Sequence, residues 1–362
     1  MKEGWKYMSL GEICDFISGF TPKKEELNSE SGIPYFKVSD MNRLSNSLYL
    51  TETELFVKKA KKIIPANSIV FPKNGGAIFT GKKRILAYDS IVDLNTEAIK
   101  INNNNVLLTY LFQYLLFVDF GQFDNGGGLP SINIKKMKEH IIPVPSLSDQ
   151  QRIVSYLDAE FAKIEALKAN AEKQLQAAKD LFQAALKELL TPKEGWKEGS
   201  IGDFLTFKRG YDLTHAQMQG GDIPVAGSNG IIGYHNIATN ISPCITVGRS
   251  GSVGKLNIYD KCWAHNTTLY VEDFKGNYPY FLVYLIQSLG IASYGGGSAV
   301  PTLNRNNIHP IKTAVPKFPE QQRIADRLDA LSANVKALQS NYTETITLCN
   351  DLKQSLLKKI FE

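Results

Sequence analysis

Apolar residues recur every three or four positions along two stretches of this chain, near residues 148–190 and 319–362. This spacing predicts two amphipathic helices of roughly 42 residues, each about 60 Å long at 1.5 Å per residue. Neither helix could bury its apolar stripe alone, so we expect the two to pack as an antiparallel coiled coil. The residues predicted for the seam are Ile153, Leu157, Ile164, Leu167, Leu175, Leu189, Ile324, Leu328, Val335, Leu338, Ile346, Leu352 and Leu356.

Polar residues and prolines mark the ends of these helices. Ser148 and Gln151 fit a capping box at the start of the first helix, and Pro192 predicts its end. Pro319 suits the first turn of the second helix, where a fixed backbone angle is favourable. The predicted helical segments are therefore 148–191 and 319–362.

The blocks outside these helices, 1–147 and 192–318, contain short apolar or alternating runs punctuated by Gly, Pro and Asn. Such runs are typical of strands in a mixed or antiparallel sheet. The clearest are residues 33–38, 68–71 and 244–247. One helix per block is predicted, at 107–118 and 279–287. The predicted fold class is α+β: two mixed α/β globules, related by a pseudo-two-fold axis and joined by the two long helices.

The chain also repeats its own sequence. Glu-Gly-Trp-Lys at 3–6 returns at 194–197, an offset of 191. Gln-Gln-Arg-Ile at 150–153 returns at 321–324, an offset of 171. The chain is therefore two copies of one module with diverged interiors. Such a chain holds two different surfaces in one geometry, for which a double-stranded polymer with two-fold symmetry is a natural target.

Composition narrows the class of protein. With 362 residues and 43% apolar content, the chain can form two domains with ordinary cores. The net charge is +5, and the excess lies in the non-helical blocks, which hold 29 basic and 24 acidic residues. This excess is a mild indication of contact with a polyanion. No signal segment or bilayer-length apolar run is present, so we expect a cytoplasmic protein without membrane contact.

Sites for nucleotides or metals are poorly represented. Residues 76–83 approach the P-loop pattern, but Lys83 stands where a magnesium-binding Ser or Thr is required. We interpret this segment, and its counterpart at 248–255, as a glycine-rich basic turn between two strands. The cysteines show no metal-ligand spacing, so reduced structural thiols and no metal site are expected. They are Cys14, Cys244, Cys262 and Cys349.

Catalytic residues are equally sparse. Asp93, Glu97 and Lys100 are residue types found in nuclease sites, but their spacing does not fit one. Aligned at the offset of 171, the second copy has Ala264, Thr268 and Val271 at these positions. The histidines are scattered, and His265 is expected to be a packed or hydrogen-bonding residue. Because no Asn-Pro-Pro or Asp-Pro-Pro motif for adenine methylation is present, we predict no catalysis and no cofactor on this chain.

Residues suited to nucleic-acid contact are better represented. Lys and Arg supply affinity for phosphates, whereas Arg, Asn, Gln and Ser can read base edges. Glycine-rich segments at 125–133 and 294–304 recur in register and permit close backbone approach. All the DNA-binding candidates except Arg209, which lies beside Gly210, border these segments and the two basic turns. They are Lys73, Asn74, Lys82, Lys83, Arg84, Asn125, Ser131, Lys135, Arg209, Arg249, Ser250 and Arg305. A merely solvated charged face is the alternative, above all for the lysines at 58–62.

The order of these motifs over the whole chain resembles a Type I restriction-modification specificity subunit. The shared elements are the Gly-Trp-Lys start, the turn at Gly19 or Gly210, the triple glycine before Pro-x-hydrophobic-Asn, and Gln-Gln-Arg-Ile opening a long helix. Residues 208–212 depart slightly, because they lack the Thr21-Pro22 of the first copy. The resemblance implies two variable target-recognition domains, at 1–147 and 192–318, alternating with two helical regions that form an antiparallel coiled coil.

The resemblance also implies a function and a set of partners. It implies a non-catalytic subunit that reads double-stranded DNA. It also implies recruitment of two methyltransferase subunits, which use S-adenosylmethionine, and of restriction-translocase subunits, which use ATP with magnesium. The leading hypothesis is thus a bipartite DNA reader whose helices set the spacer. A protein-binding scaffold would show no salt-dependent DNA affinity, and a self-contained DNA-modifying enzyme would need a methylation motif that the sequence lacks.

Overall fold

The computed structural model describes residues 4–60, 62–218, 220–239, 241–296 and 301–362. Contacts divide the chain into two compact units. Unit 1 comprises residues 1–170 and 345–362, and unit 2 comprises residues 171–344. Each unit contains β-sheets, short helices and one end of each of two long helices, which confirms the predicted α+β class.

Unit 1 holds the first set of strands and helices. Its strands are β1 (Lys6–Ser9), β2 (Cys14–Ser18), β3 (Leu27–Asn28), β4 (Ile33–Phe36), β5 (Tyr49–Leu50), β6 (Phe56–Val57), β7 (Ile69–Pro72), β8 (Arg84–Leu86), β9 (Ile91–Val92), β10 (Thr96–Ile101) and β11 (Ile141–Val144). Its helices are α1 (Leu10–Ile13), α2 (Leu108–Phe117), α3 (Ile134–Lys138) and the first part of α4 (Leu147–Leu190). The sheet orders are β1-β11, β2-β10-β7-β8-β5 and β3-β6-β4-β9.

Unit 2 repeats this plan with fewer strands among its described residues. Its strands are β12 (Lys197–Ser200), β13 (Thr206–Arg209), β14 (Ile223–Gly227), β15 (Gly230–His235), β16 (Cys244–Gly248), β17 (Leu256–Tyr259), β18 (Trp263–Ala264), β19 (Thr268–Asp273) and β20 (Lys312–Val315). Its helices are α5 (Ile201–Phe204), α6 (Pro279–Ser288), α7 (Arg305–Ile308) and part of α8 (Phe318–Phe361). The sheet orders are β12-β20, β13-β19-β16-β17 and β15-β14-β18.

Strand pairing explains why the two sequence offsets differ. In unit 1, Lys6 of β1 pairs with Val144 of β11, and in unit 2, Lys197 of β12 pairs with Val315 of β20. The first partners are related by the offset of 191 and the second by that of 171. Each two-stranded sheet therefore joins the start of a module to its end, and the difference in length lies in the residues between.

The repeated hydrophobic-Gly-acid motif caps a short helix in each unit. The Glu12 carboxylate accepts a hydrogen bond from Ser9 N at 2.6 Å, and the Asp203 carboxylate accepts one from Ser200 N at 2.7 Å. These backbone hydrogen bonds lower the pKa of both carboxyl groups. The motif thus fixes the chain where β1 and β12 end.

The repeated glycine that follows lies against backbone. A Cβ atom on Gly19 would lie 2.1 Å from the Asp93 oxygen, and one on Gly210 would lie 2.1 Å from the His265 oxygen. No side chain fits at such a distance. Glycine is therefore required here for close approach, and not for an unusual backbone angle.

The first glutamine of each Gln-Gln-Arg-Ile motif is buried, and its side chain links two helices by hydrogen bonds. We call this set of hydrogen bonds the clasp. The Gln150 side chain accepts a hydrogen bond from Leu107 N at 2.8 Å and donates to the carbonyl oxygens of Asn105 and Pro145. Its counterpart Gln321 accepts from the backbone nitrogen that precedes α6 and donates to two oxygens likewise. Each clasp therefore ties the start of a long helix to the start of the module's buried helix.

The long helices contact each other within unit 1. Leu157 of α4 shares a core cluster with Leu357 of α8. Further along α4, Glu165 forms an ion pair with Lys353, so positions that ascend along α4 meet positions that descend along α8. The two helices therefore run antiparallel there.

In unit 2, residues from the other ends of the two helices share one core. Leu186, Leu189 and Leu190 of α4 belong to the same cluster as Ile324, Ala325 and Leu328 of α8. The two long helices thus contribute to the hydrophobic core of both units, as their apolar stripes indicate.

Burial along the long helices follows a seven-residue repeat. Its core positions are Leu157, Ile164, Ala171 and Ala178 in α4, and Leu328, Val335 and Cys349 in α8. Positions four residues later, such as Lys168 and Gln339, are half-buried. Of the predicted seam residues, Ile153, Leu157, Ile164, Leu175, Leu189, Ile324, Leu328, Val335, Ile346 and Leu356 are buried or half-buried.

Three predicted seam residues are exposed instead. Leu167, Leu338 and Leu352 are 51%, 39% and 47% exposed. Each lies three residues after a core position, whereas in the structure the position four residues after a core position is the one that is half-buried. Because the helix repeats every 3.6 residues, steps of three and four point to opposite flanks of the core row. The apolar pattern did not distinguish these flanks.

The predicted start of the first long helix is corrected. Helix α4 begins at Leu147, and its capping pair is Ser146 with Asp149, since Asp149 N donates to Ser146 Oγ at 3.2 Å. The predicted box of Ser148 and Gln151 lay two residues too late.

The cysteines also differ from the expectation of four reduced thiols. Cys244 and Cys262 form a disulfide with a Cα–Cα distance of 6.0 Å, because β16 and the approach to β18 meet there. Cys14 and Cys349 are free and buried. Within the described residues, no helix is long and apolar enough to cross a bilayer.

Candidate nucleic-acid interface

Two loops of unit 1 are joined by backbone hydrogen bonds. The glycine turn, residues 73–82, follows β7, and the triple-glycine segment, residues 125–133, precedes α3. Ile132 N donates to Lys73 O at 2.9 Å, and Gly75 N donates to Pro130 O at 2.7 Å. We call these two loops together the loop pair of unit 1. It gathers candidates that are far apart in sequence.

The same loop pair occurs in unit 2. Its glycine turn is residues 249–255, and its triple-glycine segment is 294–304, of which 297–300 lie outside the described residues. Leu303 N donates to Arg249 O at 2.8 Å, as Ile132 N does to Lys73 O. An isolated antiparallel bridge joins Ser250 to Thr302, as another joins Asn74 to Ser131. The two copies therefore share these backbone links while the side chains at the linked positions differ.

Two basic candidates of unit 1 belong to the interior. Lys83 is 2% exposed; its Nζ donates to Val118 O at 3.0 Å and lies 4.0 Å from the centre of the Phe120 ring. Burial lowers the pKa of Lys83 to about 8. The guanidinium of half-buried Arg84 donates to the carbonyl oxygens of Asn46, Lys83 and Met41. Neither cation is available to a phosphate, and both are withdrawn as DNA contacts.

Two further lysines of the glycine turn already have partners. Lys73 Nζ lies 2.9 Å from Glu97 Oε2, and this carboxylate is 2% exposed. Lys82, half-buried, donates to the side chain of Asn42. The basic cluster at 82–84 thus anchors unit 1 internally, because its side chains bind groups of the protein itself.

The triple-glycine segment of unit 1 leaves its polar residues near the surface. Exposed Asn125 donates from Nδ2 to Ser131 Oγ at 3.0 Å, and Ser131 N donates to Asp124 Oδ1 at 2.8 Å. Asn74 is half-buried and donates to Asn95 Oδ1 at 3.3 Å. Lys135, in α3, is exposed. These side chains can exchange a protein partner for a base or phosphate at small cost.

The candidate cations of unit 2 are arginines, of which Arg249 has the same backbone position as Lys73 in unit 1. Arg249 is half-buried, and among the described residues its guanidinium has no hydrogen bond or ion pair. Arg305, the first residue of α7, is exposed. Arg209 is exposed and lies 3.6 Å from Asp212. Ser250, beside Arg249, is held through its backbone and is half-buried.

A further polar turn beneath each loop pair was missed by sequence reasoning. Lys73 N donates to Asn95 O at 2.7 Å, and Arg249 N donates to Thr267 O at 2.8 Å. In unit 2, Lys255 also binds the side chain and carbonyl of Asn229, which brings the β14–β15 hairpin alongside. These turns carry no basic cluster, which is the sequence signal that marks a phosphate-binding surface.

Strand pairing also corrects the alignment of the two copies by one residue. Glu97 pairs with Ser18, and Leu269 pairs with Arg209, which is the counterpart of Ser18 at the offset of 191. Leu269 is therefore the counterpart of Glu97, and His265 that of Asp93. The sequence alignment had placed Thr268 and Ala264 there.

The described residues contain no cluster of three metal-ligating side chains. Residues 76–80 form a short 3-10 helix between β7 and β8, as expected for a turn between strands. His265 lies within 3.0 Å of Thr267 Oγ1 and 3.3 Å of Leu213 O, in keeping with a hydrogen-bonding role. The loop pairs present backbone and polar side-chain groups that can contact a ligand.

Comparison with known proteins gives a family. A model of the Type I restriction modification DNA specificity domain matches the chain twice, over residues 2–177 and 193–348. The specificity subunit of the Type I restriction enzyme StySPI, from Salmonella potsdam, is 20% identical over 422 aligned positions that cover 100% of this chain and 89% of that protein. The EcoR124I/EcoR124II specificity subunit of Escherichia coli is 31% identical over 170 residues, which cover 43% of this chain and only 41% of that protein.

Solved structures share the fold. A chain from the structure described as "Structural basis underlying complex assembly and conformational transition of the type I R-M system" gives a TM-score of 0.82 at 17% identity, covering 99% of this chain and 98% of that one. The HsdS subunit from Thermoanaerobacter tengcongensis gives 0.58 at 18% identity, covering 100% and 97%. The likeness therefore extends over both units.

Proposed function

Because this chain belongs to the family of Type I restriction-modification DNA specificity proteins, we propose that it reads a bipartite target in double-stranded DNA, one half-site per unit. It recruits two methyltransferase subunits and restriction-translocase subunits in the cytoplasm. The chain itself carries out no catalysis. S-adenosylmethionine and ATP with magnesium are bound by those partners.

The duplicated loop pair is the observation that carries this proposal. Both units hold the same two loops together through backbone bonds, Ile132 N to Lys73 O and Leu303 N to Arg249 O. The side chains on these loops differ, with Asn74 and Ser131 in one unit and Ser250 and Thr302 in the other. One backbone with two sets of side chains is the arrangement needed to read two different short sequences.

Methylation mapping tests the bipartite target. The chain is expressed with its methyltransferase partner in cells that lack other adenine methylation, and methylated positions are mapped across the genome. We expect two short defined half-sites separated by undefined base pairs of constant number. A continuous target would contradict the assignment of one half-site to each unit.

Salt dependence distinguishes DNA reading from a protein scaffold. Phosphate contacts release counterions, so the logarithm of the binding constant falls linearly with the logarithm of salt concentration. We expect the complex with the methyltransferase to bind its mapped target with such a slope and to prefer it over a shuffled duplex. Binding of partners without salt-dependent DNA affinity would favour the scaffold. Binding of S-adenosylmethionine to the purified chain alone would favour an enzyme.

In this proposal, the length of the two long helices sets the number of base pairs between the half-sites. We call this the ruler. Seven residues inserted after Asn170 and seven after Glu344 fall at the borders of the two units in both helices. A whole heptad keeps the seam in register and adds about 10 Å of helix, the length of roughly three base pairs. We expect the mapped spacer to lengthen while both half-site sequences stay the same.

The control for this experiment changes length without preserving the seam. Insertion of two residues at the same positions rotates the apolar stripe by about 200°, since each residue turns the helix by about 100°. That variant should lose stability and methylation together. If the folded heptad variant reads altered half-site letters, the helices belong to the reading surface and the ruler is wrong.

A further inference from the structure

The first residue of the glycine turn occupies the same backbone position in both units. Lys73 and Arg249 each follow a central strand of the sheet. Lys73 N donates to Asn95 O at 2.7 Å, and Arg249 N donates to Thr267 O at 2.8 Å. The carbonyl of each accepts a hydrogen bond from the triple-glycine segment, at 2.9 Å and 2.8 Å. Differences between the two side chains therefore arise from their neighbours and not from the backbone.

The neighbour that differs between the two units lies on β10 in unit 1 and on β19 in unit 2. In unit 1 it is Glu97, whose carboxylate is 2.9 Å from Lys73 Nζ and 2.7 Å from Ser18 Oγ. In unit 2 the counterpart is Leu269, which is 2% exposed. One unit thus places an acid beneath this cation, and the other places an apolar side chain there.

The difference between Glu97 and Leu269 determines which partners are open to each cation. Withdrawal of Lys73 toward DNA would leave the buried carboxylate of Glu97 without its ion-pair partner, which is costly in the protein interior. Arg249 has no such partner among the described residues, and the residue is half-buried at the start of the glycine turn. A guanidinium presents a rigid fork of donors that matches the O6 and N7 acceptors of guanine.

We propose that Arg249 is a specificity-determining residue that reads a guanine in the half-site of unit 2, whereas Lys73 is a structural cation that reads no base. This inference rests on the proposed function and assigns base chemistry to one half-site. The half-site of unit 2 contains at least one guanine whose N7 and O6 face the protein in the major groove.

The test replaces each guanine of the mapped target, one at a time, with 7-deazaguanine, which lacks the N7 acceptor. Affinity is measured for the full chain in complex with its methyltransferase, as wild type and as Arg249→Ala. We expect one position at which the analogue weakens wild-type binding about tenfold. At that position the analogue should leave the affinity of Arg249→Ala unchanged, because the contact is already absent.

Two further variants distinguish the loss of a base contact from the loss of a positive charge and from a failure to fold. Arg249→Lys keeps the charge but loses the fork, so it should keep the salt slope and lose preference for that guanine. The double variant Lys73→Met with Glu97→Leu removes the buried pair of unit 1 and should leave both half-sites unchanged. Normal methylation at the half-site of unit 1 reports that the Arg249 variants are folded, and normal methylation at the half-site of unit 2 reports the same for the double variant.

Three results would overturn the inference while leaving the bipartite target intact. They are a target in which no guanine responds to the analogue, a response that persists in Arg249→Ala, and a changed half-site in the Lys73 and Glu97 double variant. A target that is continuous, or no methylation at all with a functional partner, would instead refute the proposed function itself.

Discussion

The adjacent glutamines near the start of α8 allow one substitution to be compared at a buried and an exposed site. Gln321 is 2% exposed and makes three hydrogen bonds, whereas Gln322 is exposed. Leucine is close to glutamine in size and in helix propensity, so Gln321→Leu and Gln322→Leu change the helix itself little. The difference between them isolates the clasp.

The hydrogen bonds give the expected magnitude. Gln321 Oε1 accepts from Tyr278 N at 2.7 Å, and its Nε2 donates to Asn277 Oδ1 at 2.8 Å and to Pro316 O at 2.9 Å. Leucine would leave these groups without this partner, and each buried orphan costs about 1–3 kcal/mol. Since Asn277 is half-buried and water can replace its bond, we expect a loss of roughly 3 kcal/mol in the stability of unit 2.

Thermal unfolding of the full chain, followed by hydrogen exchange, measures this effect. For a unit of this size, 3 kcal/mol corresponds to a decrease of about 6–12 °C in Tm. Faster exchange should appear at the start of α6, where Tyr278 N is bonded. Gln322→Leu should change Tm little. Equal effects of the two substitutions, or exchange unchanged near α6, would refute the clasp as the reason for the repeated motif.

Three further variants test other contacts. Because burial lowers the pKa of Lys83 to about 8 from 10.5, the unfolded state binds more protons between these values; wild type should therefore gain stability from pH 8 to pH 10.5 relative to Lys83→Met, as urea unfolding would measure. Gly210→Ala places a Cβ atom 2.1 Å from a backbone oxygen and should unfold unit 2, whereas Gly296→Ala, with open space around it, should not, as circular dichroism would show. Phe361→Ala should lower the stability of unit 1 by about 3–5 kcal/mol, and Leu352→Ala, 47% exposed, by much less in the same unfolding assay.

Elements that are rich in apolar residues were predictable from sequence. Helices α2 (Leu108–Phe117) and α6 (Pro279–Ser288) differ by one residue at most at each end from the predicted 107–118 and 279–287. The strands at 33–36, 69–72 and 244–248 lie where apolar runs placed them. Apolar content is sufficient for most of these elements because β7 and β16 are buried along their whole length and α2 and α6 each contain six consecutive buried residues.

Features that depend on tertiary contact were not predictable. The cluster at 82–84 reads as a basic patch, yet Lys83 is buried and Arg84 binds three carbonyl oxygens. The approach of Cys244 to Cys262 depends on strand placement that spacing alone does not give. The sequence shows how many charged residues a segment contains, whereas the fold decides which of them remain free to bind a ligand.

The way the loop pair is held explains how one fold can carry two different sets of loop side chains. Its bonds join backbone atoms, such as Ile132 N to Lys73 O and Leu303 N to Arg249 O, so they impose no requirement on the side chains at those positions. Side chains can then change without loss of the loop geometry, provided that the strand beneath supplies a compatible neighbour. Glu97 beneath one cation and Leu269 beneath the other show that this neighbour changes too. Under the proposed function, the residue on the strand therefore decides whether the cation on the loop is free to contact DNA, and transferring such a contact from unit 2 to unit 1 requires the exchange of both Lys73 and Glu97.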